Sequence, residues 1–243
     1  MFFAAIAIFL ALSYVMVVFA LGYQYDFTAW KFVQTGSLRV VANTGAKVYL
    51  NNALVGNTSF LGNTYSKGRL LPRTYVVRLT RAGYHPWEKK IAVVAGLFAD
   101  FPKIVLLPNE LSSEQVVSSS FGFPTEESIA YPRIRTTNGK SLSFDEHSIT
   151  VTWLDNTDYQ PFHQTGNQEL IARLPQKIDD IQWYKDREHL FILSNNILYF
   201  MEIDKCGGLN SYELTTLKGQ FFYSEDDDAI YKMDGNQIVK LKF

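Results

Sequence analysis

Histidines and an acidic run are the residues of this chain whose types could do chemistry. The histidines are His85, His147, His163 and His189, and no two of them have the four-residue spacing of a zinc-binding HExxH helix. The acidic run, residues 225–228, lacks the glycine and the spaced oxygen ligands of a calcium loop. We predict that all these residues lie in or near solvated turns, and we expect no metal site.

Sequence motifs of the common enzyme classes are missing. The chain has no nucleophile elbow, glycine-rich phosphate loop or dinucleotide fingerprint, and no pair of carboxylates stands out as in a glycosidase. Cys206 is the only cysteine, which excludes an intrachain disulfide and a cysteine metal cluster. We therefore expect neither enzymatic activity nor a cofactor.

The best candidate for ligand binding is the segment of residues 83–87. Tyr84 and Trp87 flank Pro86 there, on a predicted turn. Exposed aromatic faces suit sugars and peptides, because they bury a large area at little entropic cost. We therefore take Tyr84 and Trp87 as candidate ligand-binding residues. The alternative is that both rings cap the core of a small domain.

The elements that would position these residues begin with an apolar segment. No charged residue precedes Asp26, and residues 1–21 are dominated by Ala, Ile, Leu, Val and Phe. This length suits a helix that crosses the roughly 30 Å hydrocarbon core of a bilayer. We predict an uncleaved transmembrane anchor at residues 1–23, with the lipid bilayer as its partner, and a juxtamembrane segment at residues 24–36. The alternatives are a cleaved signal peptide and a buried core helix. The segment lacks the basic n-region of the first and the polar face of the second.

Composition narrows the class of the remaining chain. The formal net charge is −1, so there is no general basic field, and we expect no nucleic-acid partner. Aromatic residues make up 15% of the chain and charged residues 19%, a balance that favours a packed, β-rich fold over disorder. We expect a mainly β protein.

Residues 37–108 show the period-two alternation of half-buried strands. Turn signals such as Asn51-Asn52 and Gly62-Asn63 separate the alternating runs. About six short strands fit into this segment, which predicts a small antiparallel β-sandwich.

The order of features in this segment resembles a PEGA domain. The features are a strand at residues 38–42, Asn43-Thr44-Gly45-Ala46, a strand at residues 47–50, Asn51-Asn52, Gly56, Leu70-Leu71-Pro72, Tyr75, Gly83-Tyr84, Ile91-Ala92-Val93 and Val105-Leu106-Leu107-Pro108. The family's naming tetrapeptide is Pro-Glu-Gly-Ala, and Asn43 and Thr44 stand in its first two places. Arg73 replaces the glycine that usually follows the proline of the Leu-x-Pro-Gly turn.

The resemblance extends beyond this domain. Residues 21–26, 34–36 and 83–87 look like parts of membrane-anchored bacterial PEGA proteins that carry β-propeller-like repeats. That resemblance implies a soluble part outside the cell. The positive-inside rule points weakly the other way, because Lys31 and Arg39 follow the anchor and no Lys or Arg precedes it. We follow the resemblance and expect an extracytoplasmic soluble part on the cell membrane.

A repeat follows a Ser- and Glu-rich segment at residues 109–128, which we interpret as a linker. Within residues 129–243, an apolar strand, a charged turn and a second apolar strand recur. Leu142 marks the first unit, Trp183 follows it by 41 residues, and Tyr223 follows Trp183 by 40. A period of about 40 built from short strands is typical of propeller blades.

Three repeats are too few for a closed propeller, which typically has about four to eight blades. The repeat domain is therefore expected to form an open, partly propeller-like stack of sheets or a small β-sandwich. An open stack leaves unpaired strand edges, which favour self-association.

These features together predict a non-enzymatic, membrane-anchored binding or scaffold protein of the bacterial cell envelope. Its expected partner is cell-wall glycan or a surface protein. The alternative is a sensor or assembly subunit of a membrane-associated envelope complex.

Overall fold

The protein is mainly β with one N-terminal apolar helix, as the sequence predicts. A computed structural model describes residues 2–116, 133–156, 163–234 and 237–243. Residue 1 and residues 117–132, which include most of the predicted linker, lie outside the described residues. The chain divides into two compact units. The first contains Met1–Ala82 and Pro86–Leu106, and the second contains Gly83–His85 and Leu107–Phe243.

The N-terminal helix, α1, spans Phe2–Ala20, and none of its residues is buried. It contains no glycine, proline or charged residue, so nothing interrupts its hydrogen bonds or its apolar surface. At about 1.5 Å per residue, its 19 residues extend about 28 Å, which matches the hydrocarbon thickness of a bilayer. α1 is therefore long and apolar enough to cross a membrane.

A short hairpin follows α1 directly. The helix ends near Gly22, whose φ of 81° is a conformation that glycine reaches without steric cost. Strands β1 (Tyr23–Asp26) and β2 (Lys31–Gln34) then pair antiparallel. Thr35 closes the base of the hairpin, because its N–H and its hydroxyl both donate to the Gly22 carbonyl oxygen, at 2.9 and 2.7 Å. The hairpin is thus held at the C-terminal end of α1.

The other strands of the first unit form two sheets. These strands are β3 (Gly36–Ala42), β4 (Lys47–Leu50), β5 (Ala53–Asn57), β6 (Thr64–Leu70), β7 (Thr74–Thr80), β8 (Trp87–Ala92) and β9 (Phe98–Ile104). One sheet has the order β6-β3-β9, and the other has the order β5-β4-β7-β8. β3 and β9 run parallel, a pairing that the antiparallel expectation did not include. It arises because the chain crosses from one sheet to the other between β8 and β9, and parallel strands need such a crossover.

Alternating burial explains why these segments form strands. Every second residue of β3 is buried, and β8 buries Trp87, Lys89 and Ile91 while it exposes the residues between them. The ring of Trp87 contacts the ring of Phe101 in β9, so the buried faces of the two sheets meet. The close approach also explains Gly36, because a Cβ there would lie 2.5 Å from the carbonyl oxygen of a residue in the β8–β9 loop.

Within the described residues, the second unit contains three four-stranded antiparallel sheets. Their strands are β10 (Ser112–Val116), β11 (Arg133–Thr137), β12 (Lys140–Phe144), β13 (Ser148–Trp153), β14 (Gln168–Arg173), β15 (Ile178–Trp183), β16 (His189–Ser194), β17 (Ile197–Glu202), β18 (Ser211–Thr216), β19 (Phe221–Ser224), β20 (Ala229–Asp234) and β21 (Gln237–Lys242). We name β11-β12-β13-β14 the first repeat sheet, β15-β16-β17-β18 the second and β10-β21-β20-β19 the third. The predicted charged turns connect β12 to β13, β15 to β16 and β19 to β20.

The third repeat sheet takes an edge strand from the start of the unit. β10 pairs antiparallel with β21, with Ser112 opposite Lys242 and Val116 opposite Ile238. Glu114 Oε2 also lies 2.7 Å from Lys242 Nζ. The sequence placed residues 112–116 in a linker, because they are mostly polar and exposed. Their strand structure comes from pairing with a segment far away in the chain.

The second repeat sheet lies between the other two. All six residues of β16 are buried. Leu190 and Ile192 of β16 belong to an apolar cluster that includes Val151 of the first repeat sheet. Phe191, which points to the opposite face, contacts the ring of Tyr223 in the third repeat sheet, with centroids 4.8 Å apart. Alternate side chains of β16 therefore pack against different neighbouring sheets.

Cysteines introduced by S112C and K242C should form a disulfide in a chain that also carries C206S. Directly opposed residues on antiparallel strands have Cβ atoms about 4.5–5.5 Å apart, which is within reach of a disulfide after small shifts. The cross-link would appear as a mobility change on a non-reducing gel and as a linked peptide in mass spectrometry. The matched control pairs S112C with E213C on β18, in another sheet, and should not cross-link. A control that links as well as the test pair would contradict the β10–β21 pairing.

Candidate functional site

The structure places Trp87 in the core of the first unit. Its side chain is 2% exposed, and its ring meets that of Phe101 edge-on, with centroids 5.5 Å apart. A ring without an exposed face offers no platform to a sugar or a peptide. Trp87 therefore fits the core-packing interpretation of the aromatic segment and not the ligand-binding one.

Tyr84 belongs to the second unit, whereas Trp87 belongs to the first. Tyr84 forms an isolated antiparallel bridge with Pro108, and the His85 N–H donates to the Leu107 carbonyl oxygen at 2.8 Å. These backbone contacts fasten the Tyr84 segment to the first residues of the second unit. Tyr84 itself is half-buried. Tyr84 and Trp87 are thus three residues apart in the sequence and belong to different units.

The histidines differ in burial, and the described residues contain no group of side chains that could hold a metal ion. His147 is exposed, as predicted. The prediction of a solvated turn is wrong for His189, which is buried with its Nδ1 2.7 Å from Asp186 Oδ2 and its ring stacked on Phe200. His189 is buried because it begins β16, the strand with neighbours on both faces.

Charged side chains connect neighbouring repeat sheets. Lys140 Nζ, on β12 of the first repeat sheet, lies 2.6 Å from Glu188 Oε1 in the turn before β16, and both side chains are buried. One repeat further along the chain, Arg187 in the same turn forms an ion pair with Glu225 after β19. The charged turn of the second repeat sheet is therefore joined to both neighbouring repeat sheets by ion pairs.

The acidic run is engaged by side chains of the protein itself. Asp227 accepts hydrogen bonds from the Tyr231 hydroxyl at 2.6 Å and from Lys240 at 2.9 Å, and both lower the pKa of Asp227. Asp228 Oδ2 lies 2.7 Å from Lys185 Nζ, which belongs to the second repeat sheet's charged turn. Residues 225–227 remain exposed in the turn between β19 and β20, as the sequence predicted, and these contacts fix Asp227 and Asp228 to other side chains of the protein.

Two exposed apolar tips stand out among the described residues, and neither was singled out from the sequence. At the tip of the β1–β2 hairpin, Phe27 is 77% exposed and Trp30 is 78% exposed. In the loop between β5 and β6, Phe60 is 98% exposed and Leu61 is 83% exposed. Exposed apolar side chains that cluster are typical of contact surfaces. Loop residues follow no periodicity, so only the folded chain shows which aromatic rings reach solvent.

The two tips lie at opposite ends of the first unit. At the start of β3, the Gly96 N–H donates to the Thr35 carbonyl oxygen at 3.1 Å, beside the base of the hairpin. At the end of β3, the Ala42 N–H donates to the Asn63 carbonyl oxygen at 3.1 Å, next to the Phe60 loop. The seven residues of β3 separate the two ends by about 20 Å.

Comparisons with known proteins assign no family to the chain. No family model and no curated protein matches it. A solved structure described as Kluyveromyces lactis Hsv2 complete loop 6CD is similar over 67% of this chain, with 14% sequence identity and a TM-score of 0.31. The alignment covers 64% of that chain, which is less than two thirds of its length. A likeness at this level indicates neither the fold nor the function of the protein.

W87A should lower the free energy of unfolding of the first unit by about 3–5 kcal/mol, the usual cost of truncating a buried aromatic side chain. W87F should cost less, because it keeps a ring against Phe101. Urea denaturation of the full chain in detergent, followed by circular dichroism, measures both. The matched control is W30A at the exposed hairpin tip, which we expect to cost no more than about 0.5 kcal/mol. Equal losses for W87A and W30A would contradict the burial of Trp87.

Acid should destabilise the third repeat sheet. The Tyr231 and Lys240 side chains lower the pKa of Asp227, and Lys242 lowers the pKa of Glu114. A carboxyl group whose pKa is lower in the folded state stabilises the fold above its unfolded pKa, and this contribution disappears as the pH falls through the folded pKa. Because unfolded carboxyl groups titrate at about pH 4, the urea midpoint should hold from pH 7 to about 5 and then fall.

The double variant D227N/E114Q should show a weaker fall of the urea midpoint with acid than the original chain. The matched control is E110Q, which changes an exposed glutamate of the same unit. An unchanged pH dependence in the double variant would contradict the role of these two carboxyl groups.

Proposed function

We propose that this protein is a non-enzymatic, single-pass, membrane-anchored binding or scaffold protein of the bacterial cell envelope. The observation that carries the proposal is α1, which is apolar all round and has no buried residue. A helix that is apolar on every side belongs in a large core or in lipid. Because no described residue of α1 is buried in the protein, lipid is the environment that fits it.

We infer that the first unit is a small PEGA-like β-sandwich. Its sheets of three and four strands meet through buried side chains, among them Trp87 and Phe101. Asn43, which stands where the family has proline, holds the Leu106 backbone. Asn43 Nδ2 donates to the Leu106 carbonyl oxygen at 3.0 Å, and Asn43 Oδ1 accepts from the Leu106 N–H at 2.9 Å. Asn43 therefore supports the end of β3, at a position where its residue type differs from the proline of the family's tetrapeptide.

We infer that the second unit is a propeller-like stack of three blades. Three four-stranded antiparallel sheets at steps of 41 and 40 residues support this assignment. A strand from the start of the unit, β10, supplies the fourth strand of the last sheet, so all three sheets have four strands. Such a stack offers broad sheet surfaces for a partner.

The partner proposed for the soluble part is a cell-wall glycan or a surface protein on the outer side of the membrane. The PEGA resemblance supports that side. With Trp87 in the core, the aromatic segment no longer supports a glycan platform made of Tyr84 and Trp87. The exposed Phe60–Leu61 tip supports a protein contact instead, because exposed apolar side chains that cluster are typical of contact surfaces.

A second candidate is a sensor or assembly subunit of a membrane-associated envelope complex. The Phe60–Leu61 tip favours it, since this tip points away from the hairpin end of the first unit. A membrane partner that co-purifies in stoichiometric amount, and is lost in F60S/L61S, would support this candidate. Retention on purified peptidoglycan that survives F60S/L61S would support glycan binding. Turnover of a glycan or peptide by the purified chain would overturn both.

Protease added to intact bacterial cells should remove the soluble units and leave a membrane-bound N-terminal fragment. The full chain should remain in membranes during carbonate extraction. The matched control carries F9R and M16R in α1, where each arginine costs about 2.5–3.5 kcal/mol of insertion free energy near the bilayer centre, so this variant should leave the membrane fraction. Protection of residues 37–243 until the cells are lysed would contradict the extracytoplasmic side. Extraction of the original chain by carbonate would contradict the anchor.

A further inference from the structure

We propose that the β1–β2 hairpin is a lipid-binding element that lies in the headgroup layer of the bilayer and prefers anionic phospholipid. The proposal rests on the membrane anchoring proposed above, and it assigns a ligand to a segment that otherwise serves only as a connection. It is carried by the attachment of the hairpin to α1, by the exposed aromatic tip and by exposed cations at the same end of the first unit.

The attachment keeps the hairpin at the membrane. β1 begins three residues after α1 ends. Thr35, which directly follows β2, donates two hydrogen bonds to the Gly22 carbonyl oxygen. When α1 spans the hydrocarbon core, its last turn reaches the edge of that core. The polar layer beyond it is roughly 5–7 Å thick on each side, so the base of the hairpin lies within this layer.

The base of the hairpin lies at the end of the first unit where β3 begins. At its base, the Gly96 N–H donates to the Thr35 carbonyl oxygen at 3.1 Å. Arg73 lies between β6 and β7, and this connection is at the end where β3 begins, since Leu70 of β6 pairs with the first residue of β3. The base of the hairpin and the connection that carries Arg73 therefore lie at the same end of the first unit, the end that follows α1.

The exposed side chains at this end have the chemistry of a bilayer interface. Phe27 and Trp30 are exposed apolar rings, and Lys31, Arg69 and Arg73 are exposed cations. Aromatic rings are enriched at the headgroup level of membranes, and clustered cations attract anionic lipids. We name these five residues the headgroup surface.

The tip is shaped before any lipid binds. Asp26 Oδ1 accepts hydrogen bonds from the Thr28 N–H at 2.8 Å and the Ala29 N–H at 3.4 Å, which hold the turn. Trp30 then has a φ of 52°, a conformation that is rare for a bulky residue. This backbone directs the ring outward, where it remains 78% exposed.

The fluorescence of Trp30 provides a test of the proposal. Trp87, Trp153 and Trp183, the other tryptophans of the chain, are buried. In full-length protein reconstituted into phosphatidylglycerol vesicles, lipid brominated near the headgroup end of its acyl chains should quench the Trp30 emission. Acrylamide in the aqueous phase should quench it only weakly. W30F should lose most of the lipid-dependent quenching, because only buried tryptophans remain.

The matched control moves the exposed tryptophan to the other end of the first unit. In W30F/F60W, acrylamide should quench the new tryptophan and brominated lipid should not. Equal quenching of Trp30 and the F60W tryptophan by brominated lipid would overturn the specific role of the hairpin. Circular dichroism of each variant in vesicles verifies that the β units remain folded.

Lipid composition tests the cations. The variant K31Q/R69Q/R73Q should reduce quenching in phosphatidylglycerol vesicles to the level seen in phosphatidylcholine vesicles. Equal quenching of the original chain in both lipids would overturn the anionic preference.

If Trp30 is quenched by acrylamide and not by lipid while the protein still floats with vesicles, the hairpin proposal fails and the anchor stands. If the protein no longer floats with vesicles, the anchor itself fails.

Discussion

Burial of β16 on both faces is the constraint on which the second unit depends. A strand whose six residues are all buried needs apolar neighbours above and below its sheet. Leu190 and Ile192 face the first repeat sheet, and Phe191 faces the third. The flanking sheets need only one apolar face each, and β13 accordingly alternates between buried and half-buried residues. The order of the stack follows from where the apolar side chains lie.

Polar contacts set the offset between these sheets. Gln182 of β15 forms two hydrogen bonds with the backbone of β19. Its Nε2 donates to the Phe221 carbonyl oxygen at 2.8 Å, and its Oε1 accepts from the Tyr223 N–H at 2.9 Å. The buried pair of Lys140 and Glu188 plays the same part between the first two repeat sheets. A buried ion pair adds little net stability, since desolvation offsets the attraction. Its directional bonds nevertheless select one alignment among several that apolar packing alone would accept.

The apolar side chains of α1 also need an apolar environment. Nearly all side chains of α1 are apolar, yet no described residue of the helix is buried in the protein. A lipid bilayer would supply such an environment, which is the basis of the membrane anchoring proposed above. The β1–β2 hairpin is the transition between the two environments, because its backbone is held to the helix end while Phe27 and Trp30 remain exposed.

Local pattern in the sequence determined the apolar length of α1, the alternating strands of the first unit and the repeats marked by Leu142, Trp183 and Tyr223. These features depend on residues a few positions apart, so periodicity and turn residues suffice to predict them. Only the tertiary structure decided that β10 joins β21, that β3 and β9 run parallel, and that His189 is buried. It also decided the candidate site, placing Trp87 in a core and Trp30 in solvent. The physical reason is that burial and strand pairing depend on which distant segment arrives alongside, and the pattern within one segment does not record its neighbour.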